Sequence, residues 1–397
     1  MIDVKSISNF FGKFSIVLIL IALNFSYLVE GLVGFTGFRN IVLLIGLGVF
    51  FIKILLYPKL DISKPFFVYV LLGLSIAFIS VFFWLSLGEI NVYFTLITTT
   101  IVLSCGVKFL KKALLGLVLI ILVLAIYEFF TKTYVFAVYR DTQWGIKALD
   151  PTFYGGNWGL FRAKALFEGP LALAQFAIGL ALLYRKNLKI LVLSIVLAML
   201  SNGRLAMIVC ALALIFSLTE KYNIIKFFLS KKGLIIVFFI LMGCVFALNY
   251  FVTGASLERL KGALDFSDPS NQGRFYYWTE GISMYFDYNL VHLLFGNSGY
   301  FRSVIGNSAE NGWLMLLLDN GLFGFLFYFL PPVYITYLSL RFKTGHYMFV
   351  GLIFICMMIQ TFHLGALASL FYWLIIYFYL IDFKIIRDEK NYTNTLS

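Results

Sequence analysis

Charge is sparse in this sequence. Only 13% of its 397 residues are Asp, Glu, Lys or Arg, against roughly 25% in an ordinary soluble domain. With 61% of positions hydrophobic, a water-soluble globular chain is excluded. Cysteine is scarcer still. Cys105, Cys210, Cys244 and Cys356 all fall within or at the ends of apolar runs, with no metal-ligand spacing and no paired loop positions, so they read as packing residues and not as a disulfide framework. The three histidines, His292, His346 and His363, are scattered, which argues against a multi-histidine metal centre. There is no G-x-x-x-x-G-K-[ST] loop, no H-E-x-x-H pair and no G-x-S-x-G elbow. A nucleotide-driven cytoplasmic machine is therefore not expected, and neither is a cofactor or metal. The apolar runs hold few acids of the kind that proton-coupled carriers need. Glu128 is the clearest mid-span candidate, and it lies near the outer end of its run.

What the sequence does have is oil in lengths of about 20 residues, each able to cross a hydrocarbon core of ~30 Å. Twelve candidate spans follow: 14–30, 40–57, 65–87, 91–107, 113–131, 168–184, 188–201, 203–219, 233–251, 321–340, 347–362 and 366–383. The expected fold is all-α, a polytopic integral membrane protein of about 12 transmembrane helices in one membrane domain, residues 1–397. No internal repeat or linker marks a second domain, and no small-residue cleavage site follows the first apolar run, so no cleaved leader is expected. With a cytoplasmic N-terminus, 20 of the 31 Lys and Arg residues fall in alternate connections and at the termini, which the positive-inside rule places in the cytoplasm. Both termini are then cytoplasmic. The net charge of +12 therefore speaks of membrane orientation and not of nucleic acid. Most of the remaining basic residues lie in two long outside connections, 132–167 and 252–320, the second expected to carry a short interfacial helix. Structureless connections of such length are uncommon in compact proteins unless they are functional or disordered, and the aromatics of 252–320 argue against disorder.

Three arginines sit near the outer boundary: Arg162 in "GLFRAKALFEGPLALAQFA", Arg204 in "MLSNGRLAMIV" and Arg274 in "NQGRFYYW". A single one there often does no more than snorkel to lipid phosphate. Three together suit the bidentate grip of a diphosphate, which a guanidinium holds better than an ammonium does. Arg140, Arg259 and Arg302 read as solvated loop charges. In "GNSAENGWLMLLLDNGLFGFLFYF", Ser308 is placed to cap a helix beginning at Ala309 or Glu310, with Asn320-Gly321 as its stop. Glu310 then has two readings, a first-turn acid favoured by the helix dipole or a general base toward an attacking hydroxyl, oriented by Asn311. Asp319 reads as a turn residue. The aromatics after Arg274, Tyr277 and Trp278 among them, fit an interfacial belt and also the wall of a sugar groove.

The order of "FRAKALFEGPLALAQF", "SNGR" opening a span, "GRFYYW", and "SAENGWLMLLLDNGLFGFLFYF" after a long outside connection resembles the O-antigen polymerase and O-antigen ligase superfamily of bacterial envelopes, by motif over roughly residues 155–340. The resemblance implies a metal-independent glycosyltransferase at the outer leaflet of the cytoplasmic membrane, joining undecaprenyl-diphosphate-linked glycan. It assigns Glu310, Arg204 and Arg274 to catalysis and Arg162, Asn311, Tyr277 and Trp278 to substrate. Membrane lipid, a chain-length regulator and a flippase of the same pathway are the implied partners, and nucleic acid is not. In the ligase branch a histidine precedes the asparagine of the last motif. Glu310 stands there in this chain, which favours a polymerase, with a ligase and a lipid-linked oligosaccharide flippase as the alternatives.

Overall fold

A computed structural model describes residues 4–60, 62–84, 91–142, 145–148, 161–221, 269–362 and 365–396. Helices α1 (Val4–Val33), α2 (Phe38–Leu56), α3 (Lys64–Trp84), α4 (Asn91–Ser104) and α5 (Val107–Thr131) come first. A hairpin of β1 (Tyr139–Thr142) and β2 (Gly145–Ala148) follows, then α6 (Pro170–Leu183), α7 (Leu188–Leu200) and α8 (Arg204–Lys221). The last part holds α9 (Pro269–Phe286), α10 (Leu290–Phe295), α11 (Tyr300–Ile305), α12 (Gly312–Phe342), α13 (His346–Ile359) and α14 (Ala366–Leu396). Hydrocarbon offers no partner to a backbone N–H or C=O, so apolar runs close their own hydrogen bonds as helices.

Among the described residues α1, α2, α3, α5, α12 and α14 are long and apolar enough to cross a membrane, and α4, α6, α7 and α13 are shorter apolar helices. The chain is a multi-pass membrane protein. Eleven of the twelve expected spans coincide with a helix, six of them long enough by this measure, while 233–251 lies outside the described residues, as do Cys244, Arg259 and His363. The helical architecture gains one small addition in the first long connection, the antiparallel hairpin pairing Tyr139 with Ala148 and Arg140 with Lys147. In the second, α9, α10, α11 and the first part of α12 occupy the described residues.

Small residues draw α1 and α2 together. Ser15 donates to the Gly46 carbonyl at 2.8 Å and Ser8 to that of Lys53 at 3.2 Å, the close approach that helices in lipid use in place of a hydrophobic drive. Leu44 and Phe51 on α2 stay exposed, an apolar face for lipid. At the centre of the bundle α6 buries almost every side chain, and Gly179 lets α14 approach, since a Cβ there would come within 2.5 Å of Phe371.

One end of this bundle is tied by charge. Arg185, just beyond α6, is 2% exposed and pairs with Glu220 of α8 and with Asp382 of α14, and its Nη2 lies 2.6 Å from His346 at the start of α13. Because α6, α8 and α14 run toward this cluster and α13 runs away from it, the opposite helix ends share the other face: Pro170, the Ser201–Gly203 turn, Gly312, Gln360 and Gly365. Close approaches there agree. A Cβ on Gly203 would meet Ala174, and one on Gly312 would meet the Gln360 carbonyl.

Helix α12 breaks at Gly321, where φ is 65° and ψ is −169°, so residues 312–320 form a half-helix ahead of the main span. Gly296, also at positive φ, crosses this break, and a Cβ on either glycine would lie 2.4 Å from the other strand's backbone. Lower down, Pro331 and Pro332 cannot donate to the carbonyls four residues earlier, those of Phe327 and Tyr328. Tyr69 of α3 donates to the first and Tyr372 of α14 to the second, which satisfies both inside the membrane.

Candidate functional site

The candidate residues lie at the face opposite the Arg185 cluster. Its first layer is the segment 161–169, fixed by a buried carboxylate. Glu128, at 0% exposure, accepts the backbone N–H groups of Val135 at 3.1 Å and of Lys164 and Ala165 at 2.8 Å each. The acid that stood out in the sequence is thus a clasp between α5 and the segment that follows. Beside it Lys164 is also fully buried, its ammonium 3.1 Å from the centroid of the Phe136 ring, a cation–π contact. Burial pushes the Lys164 amine down to about 8, against the opposing pull of Glu128.

So held, Arg162 donates through Nε to the Ser201 carbonyl at 3.0 Å, while the Ala163 N–H reaches the Leu200 carbonyl at 3.0 Å. The segment therefore docks on the α7–α8 turn, immediately before Arg204, the first residue of α8. Arg162 is 8% exposed, so it is largely committed to this turn, whereas Arg204 is half-buried.

The second layer is α9 lying on the half-helix of α12. Gly281 permits the crossing, since a Cβ there would press on Leu314 at 2.9 Å. Tyr277 and Trp278 pack inward against the cluster of Phe301, Leu314, Met315 and Leu318, and Phe275 and Tyr276 face outward instead, at 43% and 53% exposure. The wall residues named from the sequence thus give their rings to the core, and their neighbours hold the surface.

Near the start of α9, Arg274 Nε donates to Glu310 Oε2 at 2.7 Å, joining two of the candidate residues across 36 positions of sequence. The helix after Glu310 begins later than expected. Asn311, not Ser308, is its N-cap, accepting from the Leu314 N–H at 3.1 Å, so Asn311 serves the helix and not the carboxylate. Glu310 stands outside the first turn with φ at 50°, in the left-handed region uncommon for a residue with a side chain. The helix-dipole account of Glu310 is corrected accordingly. Its ion pair is open, with side chains 32% and 39% exposed. A pair of that exposure contributes about 0–1 kcal/mol, so stability does not explain it.

Arg302 is corrected as well. It is no solvated loop charge, because its Nη2 meets the Asp319 carboxylate at 3.1 Å. Asp319, 0% exposed, also accepts the Gly299 N–H at 3.1 Å and so anchors the α10–α11 turn to the half-helix. Residues that sequence reasoning passed over are Glu280, Ser283 and Met284 of α9 and Asp287 in the turn just past it, which line an open cavity of about 390 Å³. The polar ones, Glu280, Ser283 and Asp287, recur at spacings of three and four, and that was the available signal.

Residues 190–329 match the family model described as O-antigen ligase. No curated protein matches the chain. The matched segment takes in Arg204, Arg274, Glu310 and Asn311, and Arg162 precedes it.

Proposed function

We propose that the chain is a glycosyltransferase of the bacterial cytoplasmic membrane, with about 12 crossings and both termini inside, that polymerises undecaprenyl-diphosphate-linked repeat units into an O-antigen or capsular polysaccharide at the outer leaflet. The observation that carries the reading is the contact between Arg274 and Glu310, an open pair inside the segment that resembles O-antigen ligases. An incoming diphosphate competes for the guanidinium, which holds phosphate oxygens in the same forked manner as a carboxylate. Displacement frees Glu310 to accept the proton of the acceptor hydroxyl. That oxygen then bonds to the anomeric carbon of the donor glycan as the bond from carbon to the diphosphate oxygen breaks. The departing electron pair comes to rest on the diphosphate, stabilised by Arg274 and Arg204. Arg162 holds the α7–α8 turn from which Arg204 projects. The donor arrives already activated, so the step consumes nothing else.

A ligase that moves finished chains to a lipid A-core acceptor is the second reading, favoured by the description of the matched family. Mass spectrometry of lipid-linked glycans from a deletion strain separates the two. Single repeat units accumulate if the chain polymerises, full-length chains accumulate if it ligates, and an unchanged profile removes both.

A further inference from the structure

The cavity beside α9 is chemically unlike the arginine-bearing face. Glu280 and Asp287 open into it, and among the described residues neither has an ion-pair partner, nor does any lysine or arginine line the space. Glu280 lies in the last two turns of α9 and Asp287 just past its end, seven positions on and about 10 Å further along the helix direction, too far for one cation to bridge. His292 lines the same space, held by the contact of its Nδ1 with the Gly296 carbonyl at 2.9 Å. Tyr288 and Tyr300 stand at the cavity with ring centroids 6.5 Å apart, and the Tyr288 hydroxyl is buried without a hydrogen-bond partner. The space is thus lined by two carboxylates, walled partly by rings and free of lysine and arginine.

From these features we infer that the cavity is a saccharide subsite for a sugar unit that bears hydroxyls and no acidic group. Sugar hydroxyls are donors that two carboxylates can receive, and the C–H face of a pyranose lies against a tyrosine ring. A volume of about 390 Å³ lies within the usual range for small-ligand pockets. A diphosphate or uronic acid meets two like charges and is turned away. The cavity begins about 9 Å along α9 from Arg274, at Glu280, and extends past the end of the helix, so it holds a unit of the glycan remote from the bond being made. Its use as a glycan subsite rests on the glycosyltransferase reading, whereas its chemistry does not.

Saturation-transfer NMR tests it on the purified full-length protein in nanodiscs, with cellobiose, N,N′-diacetylchitobiose and digalacturonic acid as probes. The expected result is transfer to at least one neutral disaccharide and none to the acidic one. The double variant Glu280→Gln/Asp287→Asn, nearly isosteric at positions with some solvent access, should weaken binding by about tenfold, while Arg274→Ala leaves it intact. Silence from both neutral probes, equal transfer to digalacturonic acid, or transfer indifferent to the double variant overturns the subsite. If the disaccharides bind but the deletion strain shows an unchanged lipid-linked profile, the subsite stands and the polymerase reading falls.

Discussion

At the scale of single residues the site depends on a carboxylate that is already engaged. If Glu310 takes a proton once diphosphate claims Arg274, Glu310→Gln should lower polymer formation by roughly 10²–10⁴-fold with the fold intact. Arg274→Lys should retain part of the activity, since an ammonium keeps the charge and loses the fork. The measurement is chain formation by reconstituted protein supplied with lipid-linked repeat units, and near-normal turnover by Glu310→Gln removes the base from this position. Lys164 gives a second prediction, in pH. Its amine titrates near 8 in the folded protein against 10.5 ordinarily, so between those values the unfolded chain binds more protons and stability rises with pH. Below 8 both states are charged and folding bears the whole cost of burial. Thermal unfolding in detergent from pH 7.5 to 10.5 should show the wild type gaining on Lys164→Met by roughly 3 kcal/mol. A constant gap between the two would mean that the buried amine is not perturbed. The sequence allowed Arg274 and Glu310 to be named as candidates separately, because each stands beside informative neighbours. It hid Arg302, whose partner Asp319 lies 17 residues away on another helix and is shielded from water only by the fold.

At the scale of elements, α12 shows where sequence reading succeeds and where it stops. Asn320-Gly321 announces the break, because glycine alone takes that backbone conformation cheaply. The start of the helix was placed too early, since Ser308 and Asn311 are both good caps and only the left-handed turn at Glu310 decides between them. Pro331-Pro332 likewise announces two carbonyls without donors, yet nothing local indicates that Tyr69 and Tyr372 supply the hydrogens from α3 and α14. Each tyrosine therefore answers for a polar group with no water nearby. Tyr372→Phe and Tyr69→Phe, which remove only the hydroxyl, should each cost about 1–3 kcal/mol, because hydrocarbon offers the bared carbonyl no replacement. Unfolding midpoints in mild detergent measure both, and unchanged midpoints would show that α12 satisfies those carbonyls in another way.

For the whole molecule the structure sets two opposite faces, one tied by the Arg185 cluster and one bearing the candidate site. With the orientation proposed from the distribution of basic residues, the first faces the cytoplasm. In a cysteine-free background, a cysteine at Ser303 should react with an impermeant maleimide in intact spheroplasts, and one at Lys343 only after permeabilisation. Both positions are exposed. The reverse pattern would turn the protein over and place the site on the wrong side for a lipid-linked glycan. The long apolar helices were legible from hydropathy alone, whereas the inward turn of Tyr277 and Trp278 depended on a helix lying across α9 that hydropathy does not reveal. One feature of this architecture bears on descent. Where Gly296 and Gly321 cross, no room remains for a methyl group on either strand, so both positions are closed to drift. Glu280, Ser283 and Asp287, a short way along the neighbouring helix, carry no such packing duty and can change without loss of the frame. If the cavity beside α9 holds sugar as proposed, a lineage that alters the composition of its surface glycan has those three positions to rewrite, and related chains should diverge most there and least where the backbone crosses itself.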